Sequence, residues 1–379
     1  MYIFDNIFKG NVELKELYLN RIIDYFAISL IGIFIPIYLL TIGFALMHVF
    51  QYFVVVWGTM TIMNFLAAHV SSFFGLKKTI MLRVPMLLAF LFLLTNLDAL
   101  PSYFLYLTAI AAGTSLAFYW VPLNSFFTRN ADRKKEGLET GYLSALPRIF
   151  VMFAPLLGGI MLEEFGFHSV FIMVMVLAVL SVVPLAITGD KRLTLKYDRK
   201  KGKLAKKLDG LSSIIVIQGI LAIVEFVVWP IFIFISLNDL LSVGIAGTLS
   251  IFGVGIFTLM VGKFSDKVEK KNIVRLGAVL LAAIWFMRIF STSVMEFFLL
   301  SFIAGLCLAL IDVPIFAIFS RNAKKNPLAM NISRELHLNM GRLIILFIML
   351  AFLLMFSTTS LFPFAFAFAG IMALGLLVV

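Results

Sequence analysis

Val313-Pro314-Ile315-Phe316-Ala317-Ile318-Phe319-Ser320-Arg321-Asn322-Ala323 closely repeats Val121-Pro122-Leu123-Asn124-Ser125-Phe126-Phe127-Thr128-Arg129-Asn130-Ala131, which lies 192 positions earlier. In each copy an apolar run ends at Phe, Ser or Thr, Arg, Asn and Ala, and a charged patch and a further apolar run follow. The period is far too long for a solenoid unit and is close to half of the chain. Other landmarks keep the offset to within two residues: Pro36 with Pro230, Arg83 with Arg275, Gly113 with Gly305, and Arg148 with Arg342. The protein reads as two copies of one half.

Composition then fixes the solvent. Hydrophobic residues make up 62% of the 379 residues and charged ones only 13%, with 41 phenylalanines. A mean hydropathy of +1.07 lies well outside soluble usage. Lipid offers no water to backbone amides, so the apolar runs are expected to be spanning helices of about 20 residues each. The expected fold is an all-α membrane protein of twelve transmembrane helices in two pseudo-symmetric six-helix bundles. The N-terminal bundle is residues 1–188, a basic cytoplasmic linker is 189–210, and the C-terminal bundle is 211–379.

Spans one to four are expected at about Leu19 to Ile42, His48 to Val70, Lys78 to Asn96 and Pro101 to Phe127. Span five holds Arg148 and ends at Glu163-Glu164, and span six runs from His168 to Ile187. The second half repeats the plan, with Glu225 and Pro230 in span seven, Asp312 in span ten and Arg342 in span eleven. The arm before span one is expected to be a short amphipathic helix on the cytoplasmic face, and it has no signal-peptide cleavage pattern.

Charge placement gives the topology. The net charge of +11 is distributed by loop, which argues against a nucleic-acid partner. Apart from Arg148, Arg288 and Arg342, every Lys and Arg falls in the N-terminal arm or in the five even-numbered loops and their helix ends. The odd-numbered loops hold Asp98, Glu163, Glu164, Asp239 and Glu296. Both termini are therefore expected in the cytoplasm, with the chain embedded in the plasma or inner membrane. The single cysteine, Cys307, excludes an intrachain disulfide.

Two six-span halves joined by a basic loop already look like a secondary transporter. Gly262-Lys263-Phe264-Ser265-Asp266-Lys267, followed by Glu269-Lys270-Lys271, resembles the loop signature of the major facilitator superfamily, with Glu269 where the second glycine usually stands. The resemblance implies a gating latch at Gly262, Asp266 and Lys267, the aspartate facing a helix N-terminus. In the first half Ser72, Gly75 and Lys77 align with it, and Ser72 lacks the aspartate's charge. Gly141 and Ala154-Pro155-Leu156-Leu157-Gly158-Gly159 resemble the span-five motif of antiporters in that superfamily, with Phe150 and Ala154 replacing two glycines. The arginine motif of span four in drug–proton antiporters is missing. The resemblance implies alternating access about a cavity lined by spans one, four, seven and ten.

Three acids lie within apolar spans: Asp24, Glu225 and Asp312. An unpaired carboxylate there is costly unless it takes a proton, and that is the physical basis of proton coupling. Glu225 and Asp312 are the stronger candidates, and Asp24 suits a gate or a helix-end salt bridge. The alternative is that these acids form structural pairs with Arg148, Arg342 or Arg288. Arg148 and Arg342, at matching places in the two halves, could instead clamp an anionic substrate through their forked guanidiniums. Tyr119, Trp120, Asn124 and Trp229 flank helix-bending prolines and are candidate cavity residues. No metal-ligand spacing, phosphate-cradling loop or nucleophile motif occurs, so neither an enzyme nor a bound cofactor is expected.

The expected function is proton-coupled secondary transport of a small molecule by a monomer in the lipid bilayer, with the span-five motif tilting the direction toward efflux antiport without deciding it. The alternatives are a uniporter or symporter for an organic anion and, from another class, a lipid scramblase or receptor.

Overall fold

The structure is a computed structural model that describes residues 12–130, 147–188, 210–264, 269–323 and 326–378. All regular structure within them is helical. Span one comprises helices Val12–Ser29 and Ile35–Thr41; spans two, three and four are Leu46–Phe74, Leu76–Thr95 and Phe104–Asn130. Spans five and six share the segment Ala154–Ser181, which reverses at Gly166 with φ 73° and ψ 169°. That backbone region is open only to glycine, so a tight turn between two spans is written in one residue.

Span seven is built from Leu211–Ile223, a π turn over Val224–Val228 and Trp229–Leu237. Spans eight to twelve are Leu240–Phe264, Lys270–Arg288, Val294–Ala323, Pro327–Met355 and Thr358–Leu374. Among the described residues nine stretches are long and apolar enough to cross a bilayer, and one of them, Pro147–Ala186, is of double length at 40 residues. The two remaining spans fall short for visible reasons: span one is interrupted after Ser29, and span nine carries Lys270, Lys271, Arg275 and Arg288.

The repeated landmarks have repeated physical effects. Proline lacks an N–H and crowds the preceding turn, so a helix loosens just before it. Pro36 follows the break between Ser29 and Ile35, and Pro230 follows the π turn at Val224–Val228. Gly113 and Gly305 let a neighbouring backbone come close. A Cβ on Gly113 would lie 2.3 Å from the Val56 carbonyl oxygen, and one on Gly305 2.2 Å from that of Ser250. Spans two and four thus meet as spans eight and ten do.

The N-terminal arm departs from expectation. From Val12 it is one helix with span one, instead of a separate helix lying on the surface. Its inward face is held by the bundle. Lys77 Nζ donates to Glu16 Oε2 at 2.5 Å and to Thr188 Oγ1 at 2.7 Å, and Asn20 Nδ2 donates to the Ser181 carbonyl at 2.6 Å.

The halves meet along two seams. Span five packs on span eight, where Leu156 N–H donates to Thr248 Oγ1 at 3.0 Å. Span two packs on span eleven through Ala68 and Phe65 against Leu328, Ile332 and Leu336. The linker, positions 189–209, lies outside the described residues.

Candidate functional site: a cavity between the halves

A cavity of about 220 Å3 lies between the two bundles. Spans one, four and five supply Arg21, Trp120, Asn124 and Arg148. Spans seven, ten and eleven supply Gln218, Glu225, Phe226, Asp312, Phe316, Arg334 and Arg342. Spans one, four, seven and ten therefore line it as the resemblance implies, and spans five and eleven contribute as well.

The three acids have different fates. Asp24 does not reach the cavity: Arg83 Nη1 of span three donates to its Oδ1, and the Arg83 guanidinium lies 4.0 Å from the Tyr119 ring centroid. Tyr119 is thus a buried platform for that pair, outside the cavity lining. Glu225 borders the cavity but is held from behind by Arg288 of span nine. Nη1 donates to Oε2 at 2.6 Å and Nη2 to Oε1 at 3.2 Å. The Arg288 guanidinium is enclosed between Trp229 and Trp285, at 4.1 and 4.3 Å from their ring centroids. Trp229 in turn donates from Nε1 to Ser301 Oγ at 2.9 Å, so it braces the pair and does not line the cavity.

Asp312 is the remaining acid. Its Oδ1 accepts from Gln218 Nε2 of span seven at 2.9 Å, and it has no ion-pair partner among the described residues. Pro314 follows it on span ten, so the local helix is already loosened at the cavity wall.

The arginines are arranged differently from the acids. Arg148 and Arg342, candidates from the sequence, both reach the cavity, and Arg21 and Arg334 join them. Arg342 lies 4.1 Å from the Trp57 centroid, across the seam to span two, and its Nη1 donates to Asn339 Oδ1 at 2.7 Å. Arg21 sits over Trp120 at 5.6 Å, and Arg334 over Phe316 at 5.1 Å. Among the described residues only Arg334 has a carboxylate in ion-pair contact, Glu335 Oε1 at 3.1 Å.

Sequence reading missed Arg334 by placing it at the end of a basic loop. Asn326 accepts from Ala329 N–H as an N-cap and Pro327 opens the helix, so span eleven starts before Arg334 and carries it inward. That Asn-Pro pair was the available signal. Arg21 belongs to the helix Val12–Ser29, and its place at the expected start of span one, among the charges of the arm and helix ends, kept it from standing out as a cavity residue.

Contacts bridge the halves above and below the cavity. On the side of the basic loops, Asn124 Nδ2 donates to Glu335 Oε1 and Asn331 Nδ2 to Thr128 Oγ1, each at 3.4 Å. On the side of the acidic loops, Leu241 N–H donates to Glu163 Oε1 at 3.0 Å.

Of the candidate gating residues, Gly75 (φ 97°) separates spans two and three, and Ser72 donates to the His69 carbonyl at 2.6 Å. Lys77 is buried in the pair with Glu16. Gly262 falls within span eight, whereas Asp266, Lys267 and Gly141 lie outside the described residues.

A family model described as the Major Facilitator Superfamily matches residues 17–216 and again residues 214–379. The chain belongs to the Major Facilitator Superfamily. Each match takes one half, in keeping with the internal repeat. Among solved structures of this superfamily fold, the human organic anion transporter MFSD10 (TETRAN) superposes with a TM-score of 0.70 at 10% identity, covering 97% of this chain and 99% of that one. The fucose:proton symporter of E. coli superposes with a TM-score of 0.65 at 12% identity, covering 96% of each chain. No curated protein sequence matches significantly. As a superfamily member with apolar helices throughout, the chain is an integral membrane transporter of small substrates.

Proposed function

We propose that this transporter carries a small organic anion together with protons, by alternating access about the cavity between its halves. One observation carries the reading. Arg21, Arg148 and Arg342 come from both halves into one cavity, and none has a carboxylate in ion-pair contact among the described residues. Guanidiniums inside a low-dielectric bundle are costly without a counter-charge, and a bound anion supplies one.

Asp312 is the proton carrier in this scheme, because Glu225 and Asp24 are already neutralised by Arg288 and Arg83. A proton on Asp312 adds positive charge to the same cavity, so proton and anion favour each other's binding. Linkage makes that reciprocal and directs the coupling toward symport. The antiport reading rests on the span-five motif. Its glycines, though, have packing roles: Gly158 faces the Leu30 carbonyl and Gly159 that of Leu240.

The five basic loops support cytoplasmic termini, and the working unit in this scheme is the monomer in a plasma or inner membrane. The test is a thermal-shift screen of purified protein against organic anions, cations and neutral sugars, repeated on Arg148→Ala and Arg342→Ala. Anions are expected to stabilise the wild type, and each variant to lose most of that shift. Stabilisation by cations or neutral solutes alone would reject the assignment.

A further inference from the structure

Resting on the anion reading, we infer that the substrate is a dianion on a compact apolar body, about one ring in size. The charges around the cavity set the valence. Six ionisable side chains line it: Arg21, Arg148, Arg334 and Arg342 against Glu225 and Asp312. Glu225 is neutralised by Arg288 and Arg334 by Glu335, through contacts of 2.6 and 3.1 Å. What remains among the described residues is Arg21, Arg148 and Arg342 against Asp312, an excess of two positive charges with Asp312 ionised and of three once it carries the coupled proton. A monoanion leaves at least one of them uncompensated in a medium that screens poorly, and a dianion leaves one fewer in either protonation state of Asp312.

Geometry agrees with recognition by guanidinium forks. Arg21 and Arg342 each lie near an aromatic face, Trp120 and Trp57. A guanidinium stacked on a ring keeps its N–H donors in its own plane, where they can reach carboxylate or phosphoryl oxygens. Arg342 has committed one nitrogen to Asn339, and neither Arg21 nor Arg148 has a hydrogen-bond acceptor among the described residues.

Size and polarity define the rest of the ligand. The cavity, about 220 Å3, is half as large again as a buried void of roughly 150 Å3 that holds benzene. Its apolar wall includes Leu221, Phe226, Ile311 and Phe316. An aromatic ring with two carboxylates, or with one phosphomonoester, fills such a space.

The experiment is calorimetric titration of the purified full-length protein at neutral pH with matched probes. Phthalate is compared with monomethyl phthalate, phenyl phosphate with methyl phenyl phosphate, and dimethyl phthalate serves as the neutral control. At least one dianion is expected to bind about tenfold tighter than its monoanionic mate, equivalent to about 1.4 kcal/mol. The pair that shows the gap identifies carboxylate or phosphoryl chemistry. Arg148→Gln and Arg342→Gln, checked for unchanged melting temperature, are expected to bring that ratio toward one. Equal binding of mates overturns the dianion assignment and leaves the anion reading standing. Failure of every charged probe, or tighter binding of dimethyl phthalate, overturns both.

Discussion

Among the described residues each half buries one arginine–carboxylate pair between the first and third of its spans, yet the two pairs are placed differently. In the first half Asp24 meets Arg83 eight residues into span three, near its start on the side of the basic loops. In the second half Glu225 meets Arg288, the last residue of span nine, toward the side of the acidic loops. The first pair is walled off by Tyr119 and leaves the cavity untouched. The second has its carboxylate on the cavity wall and its guanidinium enclosed by Trp229 and Trp285. The lesson concerns Asp312. With both other acids paired inside their own bundles, it is left as the cavity acid held by a neutral amide, Gln218, with no ion-pair partner among the described residues.

Breaking either pair is the most disruptive change. Arg288→Met strands a buried carboxylate and is expected to cost about 3–5 kcal/mol, measured as lost thermal stability in detergent. The double variant Arg288→Met with Glu225→Met is expected to recover most of it, whereas a double variant as unstable as the single one would show that the pair is not the source. Arg83→Met is expected to behave alike, so a large difference between the two would separate the pairs in kind as well as in depth.

Packing comes next. Gly341→Ala puts a Cβ 1.9 Å from the Val216 carbonyl oxygen between spans seven and eleven. Overpacking of this sort is expected to cost about 1–3 kcal/mol in the same melting assay. Asp312→Asn sharpens the comparison, because it changes an acid with no ion-pair partner among the described residues. Its melting temperature should stay within a degree or two, about the effect of well under 1 kcal/mol. Proton-gradient-driven flux in liposomes should be abolished; if flux persists, Asp312 is not the carrier.

The smallest effect is expected at the turn after span seven. Burial opposes the charged form of Asp239, but hydrogen bonds from the Ser242 side chain and backbone outweigh it and hold the carboxyl below its usual range. A depressed folded-state value means that the contribution is present above about pH 3.9 and is lost as pH falls through the folded value. Asp239→Asn should therefore cost well under about 1 kcal/mol at neutral pH and nothing in acid, read from melting curves.

Much of the architecture was legible because lipid removes alternatives. Apolar runs had to be helices, the repeat had to generate two similar bundles, and Pro36, Pro230, Gly113 and Gly305 act through local backbone chemistry wherever they occur. Arg148 and Arg342 also reach the cavity, since depth along a helix can be counted from sequence.

Pairing could not be counted in that way. The repeat aligned Arg83 with Arg275, but Arg275 Nε donates to the Leu377 carbonyl at 3.3 Å and the arginine that meets Glu225 is Arg288, thirteen positions on. Which face of a helix meets which neighbour depends on helix rotation and tilt, and these are set by side-chain packing between segments far apart in the chain. The sequence by itself determined that the chain crosses a bilayer as a duplicated bundle with arginines and acids inside it. Only the tertiary structure decided which of those charges cancel, because a buried charge is defined by what lies a few ångströms away and not by its place in the chain.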